Sequence, residues 1–201
     1  MKIICIGRNY ADHAKEMKSE VPTEPIFFMK PDTALLKESP FYHPSFTKDL
    51  HFECELVVKI DKAGKNIGKE FAHKYYSEVT LGIDFTARDI QQECKTKGLP
   101  WEKAKAFDNS APISTNWVKC AELPEIIEFR FFQNGQLKQH GLSSDMLFSI
   151  DELIAHVSKY VTLKTGDLIY TGTPAGVGQV TIGDVLEGYL GSEKMFRFEV
   201  A

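Results

Sequence analysis

Several absences narrow the function of this chain before any motif is read. It has only four cysteines, Cys5, Cys54, Cys94 and Cys120, and none forms a C-x-x-C pair, which excludes a zinc ribbon and a thioredoxin-like redox motif. No uncharged run is long enough to cross a bilayer as a helix. The opening MKIICIGRNYADH lacks the apolar stretch of an export signal, because Arg8 follows after four apolar residues. A cytoplasmic setting with reduced thiols is therefore expected, with the cysteines acting as small hydrophobes. There is no basic excess: 24 Lys and Arg stand against 28 Asp and Glu, a net charge of −4, which argues against a nucleic-acid binder. There is no internal repeat, low-complexity tract or Gly/Ser linker, so residues 1–201 are expected to form one domain. The Gly-rich stretch from Gly172 to Gly178 has no G-K-[ST] and reads as a tight turn, not a phosphate loop.

What is present suits a chain with a full core: 43% hydrophobic and 26% charged residues over 201 positions. Most segments are short and β-like. Strands are predicted at Lys2–Ile6, Ile26–Lys30, Phe52–Ile60, Val79–Ile83, Leu168–Thr171, Val185–Tyr189 and Phe196–Val200. Glu128–Gln133 and Gln136–Gln139 flank Asn134–Gly135, a type I′ hairpin signal. Helices are few. Thr86 with Asp89 reads as a capping box opening Ala87–Lys97, with Gly98 as the stop, and Ser149 with Glu152 opens a second helix to about Lys159. Asn9 is placed to cap a short helix over Tyr10–Met17. The fold class predicted is α+β, mainly β.

Three features could carry chemistry. In the strand around Cys54, the even-numbered residues Phe52, Cys54, Leu56, Val58 and Ile60 form an apolar face, so Glu53 and Glu55 share the opposite one, about 7 Å apart by strand rise. An ordinary solvated strand face would show the same pair. Val57 continues that face, however, and Asp84 ends another apolar strand; three converging carboxylates would make a hard oxygen site suited to Mg²⁺ or Mn²⁺. His13 and Glu16, at i and i+3, would lie side by side on a helix, where a carboxylate can orient an imidazole as a base; an incidental surface pair has the same spacing. Lys105 follows a Gly-Leu-Pro-Trp turn among Ala104, Ala106 and Phe107. It is either a surface charge or a partly buried ammonium able to hold an anion.

The ordered set Arg8-Asn9-Tyr10-x-x-His13, Phe28-x-Lys30-Pro31, Glu53-x-Glu55-Leu56, Gly82-x-Asp84-x-Thr86-Ala87-Arg88-Asp89, Lys97-Gly98-Leu99-Pro100-Trp101 with Lys105, and Thr171-Gly172-Thr173-Pro174 resembles the fumarylacetoacetate hydrolase family. The resemblance runs from Ile3 to Val200 and is closest to the small single-domain branch of acylpyruvate hydrolases and oxaloacetate decarboxylases. It implies a mixed β-sheet roll, usually a homodimer. It further implies Glu53, Glu55 and Asp84 as ligands of Mg²⁺ or Mn²⁺, His13 and Glu16 as a water-activating dyad on a lid over Tyr10–Lys18, and Lys105 as an active-site lysine. Arg8, Lys30, Arg88, Gln91 and Thr173 would lie at or near a small 2-oxo acid substrate. Some relatives carry His-His-Glu where this chain has His51-Phe52-Glu53.

The chemistry so implied is cleavage of the C3–C4 bond of an acylpyruvate-like β-diketo acid, with oxaloacetate decarboxylation and keto–enol tautomerisation open to the same site. Two alternatives remain at this level. One is an isomerase, hydratase or decarboxylase of 2-hydroxy-dienoate diacids. The other is a non-catalytic domain binding a metal or a small acid. Neither nucleic acid nor membrane is an expected partner.

Overall fold

In a computed structural model that describes residues 1–17 and 20–201, the apolar strands assemble into a six-stranded mixed sheet. Its order is Ile26–Lys30, Ile3–Gly7, Leu168–Tyr170, Cys54–Lys59, Glu78–Ile83 and Val118–Lys119. The strands Ile3–Gly7 and Leu168–Tyr170 run parallel, with Ile3 opposite Leu168; the other neighbours are antiparallel. A second, antiparallel sheet holds Gln136–Leu142, Glu128–Gln133, Val185–Leu190 and Glu193–Glu199. Asn134 and Gly135 turn its hairpin at φ +53° and +75°, the left-handed pair that a type I′ turn requires. The α+β, mainly β class holds, with one mixed sheet among the four that the described residues form.

The main core lies between these sheets. Cys54, Leu56 and Val58 point into it, as their alternation requires, and meet Phe129, Phe131, Leu186 and Phe198 from the second sheet. Leu153, Ile154 and Val157 of the helix Ile150–Tyr160 close one side. That helix begins with the predicted capping box, Ser149 and Glu152 bonding each other's backbone.

The opposite face of the large sheet is also covered. Ile3, Cys5, Val57, Leu168 and Tyr170 form a second, smaller apolar cluster there. The Glu53–Glu55 face is therefore interior rather than solvated, because Ala34, Ala111 and Ile113, from outside the sheet, join that cluster and cover it.

Three local expectations are corrected. The predicted strand Phe52–Ile60 is two strands broken at Glu53. Leu50–Phe52 pairs with Gly178–Gln179 and Thr86–Ala87, while Cys54–Lys59 joins the large sheet. At the break the Cys54 N–H donates to the Gln139 side chain instead of a strand carbonyl. Thr86 does not cap the helix Arg88–Lys97: its hydroxyl donates to the Asp84 carbonyl, and Asp89 accepts from Thr47 and Lys48, so Ala87 stands at the cap without a side-chain bond. Gly98 ends that helix at φ +65°, as expected.

Asn9 does not cap the helix Ala11–Glu16 either; Tyr10 occupies that position. Fully buried, Asn9 donates to the carbonyls of Phe148 and Thr171 and accepts from the Phe148 N–H. It staples the segment carrying His13 to the end of the strand Leu168–Tyr170. Asn9→Ala would strand three buried backbone groups. It is expected to lower unfolding free energy by about 2–4 kcal/mol, measured by urea denaturation. A loss below about 1 kcal/mol would mean that those groups find other partners.

Candidate active site

Glu53 stands at the break between two strands, Glu55 on the strand Cys54–Lys59, and Asp84 one residue past the strand Glu78–Ile83. The Asp84 N–H donates to the Glu53 carbonyl at 2.8 Å, which fixes one strand end against the other. The three carboxylates are 5%, 1% and 1% exposed, and one oxygen of each lies within 4.8 Å of the others. Of the two readings open in the sequence, the converging set is the one the fold makes.

Burying three carboxylates side by side is costly unless cations compensate them. Lys105, on the short helix Glu102–Lys105, donates to Glu53 Oε2 and Asp84 Oδ2, both at 2.8 Å. Arg88 donates to Glu53 Oε1 at 2.6 Å and to Gln91 Oε1 at 2.7 Å. Burial pushes the Glu53 carboxyl up, but Lys105, Arg88 and His13 together hold it well below the usual carboxylate range. Burial likewise opposes charge on Lys105, yet Asp84 and Glu53 raise its pKa to about 12. Lys105 is thus a fixed cation at neutral pH, and the partly buried ammonium anticipated from the sequence is wholly buried.

Glu55 lacks such compensation. Burial and the charges of Asp84 and Glu53 push its carboxyl well above the usual range, against the Gly172 N–H that donates to Oε2 at 2.7 Å. Asp84 Oδ1 pairs with the buried Lys30 ammonium at 2.8 Å. The same ammonium lies within hydrogen-bond distance of the carbonyls of Phe85, Lys105 and Ser110 and of the Ser110 hydroxyl. A buried carboxyl that its two neighbouring carboxylates disfavour as an anion, within one converging all-oxygen set, fits a hard divalent cation.

His13 and Glu16 meet as their spacing predicts, with His13 Nδ1 3.3 Å from Glu16 Oε2. His13 is buried, whereas the Glu16 side chain is about a third exposed. Both Glu16 oxygens also accept from the Gly176 N–H, at 3.1 and 3.2 Å. Gly176 has φ +97°, and a Cβ there would stand 2.0 Å from the Lys138 carbonyl, so only glycine presents this amide. The Gly172–Gly178 turn thus belongs to the site through its backbone. Of the segment expected to form a lid, Tyr10–Lys18, residues through Met17 are described and Lys18 lies outside the described residues.

One pocket is lined by Arg8, His13, Glu53, Glu55, Asp84, Arg88, Gln91, Lys105 and Thr173. The structure thus gathers the sequence candidates, with two exceptions: Glu16, which reaches the pocket only through His13, and Lys30. Lys30, 2% exposed, sits behind Asp84 and does not line the pocket, because its ammonium is spent on carbonyls of the surrounding loops. The Thr173 hydroxyl donates to the Cys54 carbonyl and accepts from Gln139. Phe52 is fully buried and packs on Phe131 at 4.5 Å between ring centroids, so the His51-Phe52-Glu53 departure puts an apolar side chain into the core. Among the lining residues given no role from the sequence are Phe28 and Trp101, which lay in the quoted motifs, and Lys95, which did not. For Lys95 a signal existed, since Arg88, Gln91 and Lys95 fall at i, i+3 and i+7 on one helix face.

Residues 2–197 match the family described as fumarylacetoacetate (FAA) hydrolase C-terminal. The mouse protein named oxaloacetate tautomerase FAHD1, mitochondrial, is 46% identical over 201 residues, covering 98% of this chain and 90% of its own length. Oxaloacetate tautomerase YcgM of Escherichia coli K12 is 43% identical over 189 residues, covering 92% and 86%. Fumarylpyruvate hydrolase from Pseudomonas aeruginosa, solved with Mn²⁺ and pyruvate, superposes with a TM-score of 0.94 at 33% identity, covering 100% of this chain and 89% of that one.

Proposed function

Because the chain belongs to the fumarylacetoacetate hydrolase family, we propose that it is a divalent-metal-dependent enzyme cleaving the C3–C4 bond of acylpyruvate-like β-diketo acids. Decarboxylation and tautomerisation of oxaloacetate are further activities of the same site. The observation that carries this reading is the meeting, in one pocket, of three buried carboxylates, a buried lysine and a histidine backed by Glu16. A binding domain needs the carboxylates alone; the dyad is a base, and binding requires none.

Glu53, Glu55 and Asp84 would hold Mg²⁺ or Mn²⁺. When bound, such an ion supplies Lewis-acid polarisation of a 2-oxo acid chelated through its carboxylate and 2-oxo oxygen. Glu16 engages His13 Nδ1, which leaves Nε2 to accept a proton. In hydrolysis that proton comes from the water attacking the C4 carbonyl, and the products are a carboxylic acid and pyruvate. In tautomerisation the same nitrogen takes a proton from C3, which is then returned to the 2-oxo oxygen. Relatives named oxaloacetate tautomerase support this second use. Lys105, charged throughout, offsets anionic charge developing beside Glu53 and Asp84. Arg88 and Gln91, bonded to each other, orient the bound acid, as do Arg8 and Thr173.

We propose further that residues 1–201 act as a single catalytic domain and assemble as a homodimer, as the family resemblance implied; sedimentation of the purified protein checks the second point. A cytoplasmic setting is proposed on the four unpaired cysteines.

The test is turnover of acetylpyruvate, oxaloacetate and a 2-hydroxy-dienoate diacid, each with Mg²⁺, Mn²⁺ and EDTA. Hydrolysis of acetylpyruvate with either ion, abolished by EDTA and restored by metal, is the expected result. Turnover of the dienoate alone would replace this reading with the isomerase or hydratase one.

A further inference from the structure

Gln139 is a buried polar side chain that the reaction above does not use. It stands on the strand Gln136–Leu142 of the second sheet and does not line the pocket. The pairing of that strand with Glu128–Gln133 slips by one residue: Phe131 lies opposite Gln139 and Phe132 opposite Leu137, so Lys138 is bulged. A bulge re-aims the side chains around it. Lys138 stays exposed, Gln139 turns inward to 1% exposure, and the Lys138 carbonyl rests against Gly176.

Gln139 reaches the edge of the carboxylate strand that has lost its neighbour. Leu168–Tyr170 pairs with Cys54–Lys59 only as far as Tyr170 opposite Val57. Beyond that point side chains take the place of a strand. The Cys54 N–H donates to Gln139 Oε1 at 2.9 Å, Gln139 Nε2 donates to the Thr173 hydroxyl at 2.7 Å, and that hydroxyl donates to the Cys54 carbonyl at 2.8 Å. The ring begins and ends on one residue. Its two ends are the peptide units on either side of Cys54, one shared with Glu53 and the other with Glu55. Rotation at Cys54 would move the two carboxylates relative to each other, and the ring removes that freedom. The second Nε2 proton goes to the Pro174 carbonyl at 2.9 Å, in the turn whose Gly176 amide holds Glu16. An amide suits this pattern because its oxygen accepts while its nitrogen donates twice; a carboxylate would set acceptors against Thr173 and Pro174.

We propose that Gln139 is a positioning residue for the carboxylate site: by locking both peptide units of Cys54, it holds Glu53 and Glu55 in the arrangement that converges on one cation. This deepens the reading under Proposed function and rests on it for the ion that those carboxylates would hold. Groups that orient metal ligands from one shell out are typically worth about 10–100-fold in metal affinity.

The experiment measures binding of Mn²⁺ alone to the full chain by calorimetry, well below the transition temperature of each variant. Gln139→Met keeps the length of the side chain but has no amide, and it is expected to weaken binding by about tenfold or more. Thr173→Val opens the same ring from its other side and should weaken Mn²⁺ binding too, while Thr173→Ser, which keeps the hydroxyl, should bind Mn²⁺ as the parent does. Ser158→Ala is the comparison for stability alone. It takes the acceptor from the buried Ile67 N–H, lines no part of the pocket, and should lower the transition temperature with Mn²⁺ affinity unchanged. Gln139→Met binding Mn²⁺ as tightly as the parent overturns the proposal; should that variant not fold, Thr173→Val binding as tightly as the parent overturns it. So does a loss in Ser158→Ala equal to that in Gln139→Met. If Mn²⁺ binding behaves as expected while the parent turns over no acylpyruvate, the reaction assigned above fails and the positioning role stands. If the parent turns over acylpyruvate while Gln139→Met keeps its Mn²⁺ affinity, the positioning role fails and the reaction stands.

Discussion

Asp84→Asn is expected to cut turnover of acetylpyruvate and of oxaloacetate alike, by about 10³-fold or more, since removing even a single stabilising donor from such a site costs about 10²–10³-fold. Asp84 is shared among three tasks. It supplies one of the three converging carboxylates, accepts from Lys105 at 2.8 Å, and places a charge 2.8 Å from Lys30. Replacing it with a neutral amide leaves two buried ammonium groups facing one anion fewer. Breaking a buried ion pair from one side costs about 3–5 kcal/mol, so the variant should also melt earlier. Kinetics are therefore measured well below its transition temperature, beside calorimetry of Mn²⁺ binding. Retention of Mn²⁺ affinity together with turnover within tenfold of the parent would remove Asp84 from the metal site.

Glu16→Ala is expected to separate two bond cleavages. Hydrolysis of an acylpyruvate requires an activated water, whereas decarboxylation of oxaloacetate releases CO₂ with no attacking water. General-base assistance is typically worth about 10²–10⁴-fold, and acylpyruvate hydrolysis should fall by about that factor while decarboxylation falls less. The Gly176 amide complicates a simple reading, because Glu16 also anchors its segment through that N–H. Glu16→Gln keeps an acceptor for Gly176 and loses the charge that supports an imidazolium. If Glu16→Gln falls nearly as far as Glu16→Ala on hydrolysis, the charge matters; if it stays near the parent, the anchor does. Equal losses on both substrates in Glu16→Ala, with metal content unchanged, would mean that the pair does more than activate water.

The alternation around Cys54 was readable because strand period and core burial agree there. The burial of its other face was not, since it depends on Ala34, Ala111 and Ile113 packing over it from outside the sheet. A carboxylate on a strand carries no mark of what will cover it, which is why Glu53 and Glu55 alone allowed a solvated face. The Ser149 capping box was legible and the Thr86 one misleading for a related reason. Ser149 and Glu152 bond each other through Glu152 Oε2 while Lys69 takes only the other oxygen, whereas Asp84 and Thr47 compete for Thr86 and Asp89. Lys30 shows the limit of motif reading: its place in the pattern is right, yet its ammonium serves the loops behind the pocket. Lys95 shows the opposite, a residue outside every motif quoted whose helical spacing alone pointed at the pocket.

The parallel pairing of Ile3–Gly7 with Leu168–Tyr170 sets the order in which a growing chain can become competent. Contacts across so long a loop form late, because closure entropy is lost before the pairing repays it. A nascent chain emerging from the ribosome has synthesised all three carboxylates by residue 84 and both members of the dyad long before. It still lacks the Gly172 amide on Glu55 and the Gly176 amide on Glu16 until about ninety more residues have been made. Throughout most of its synthesis the chain therefore carries its acidic and basic groups without the scaffold that turns them on one another, and competence arrives nearly all at once, with the closing of the sheet.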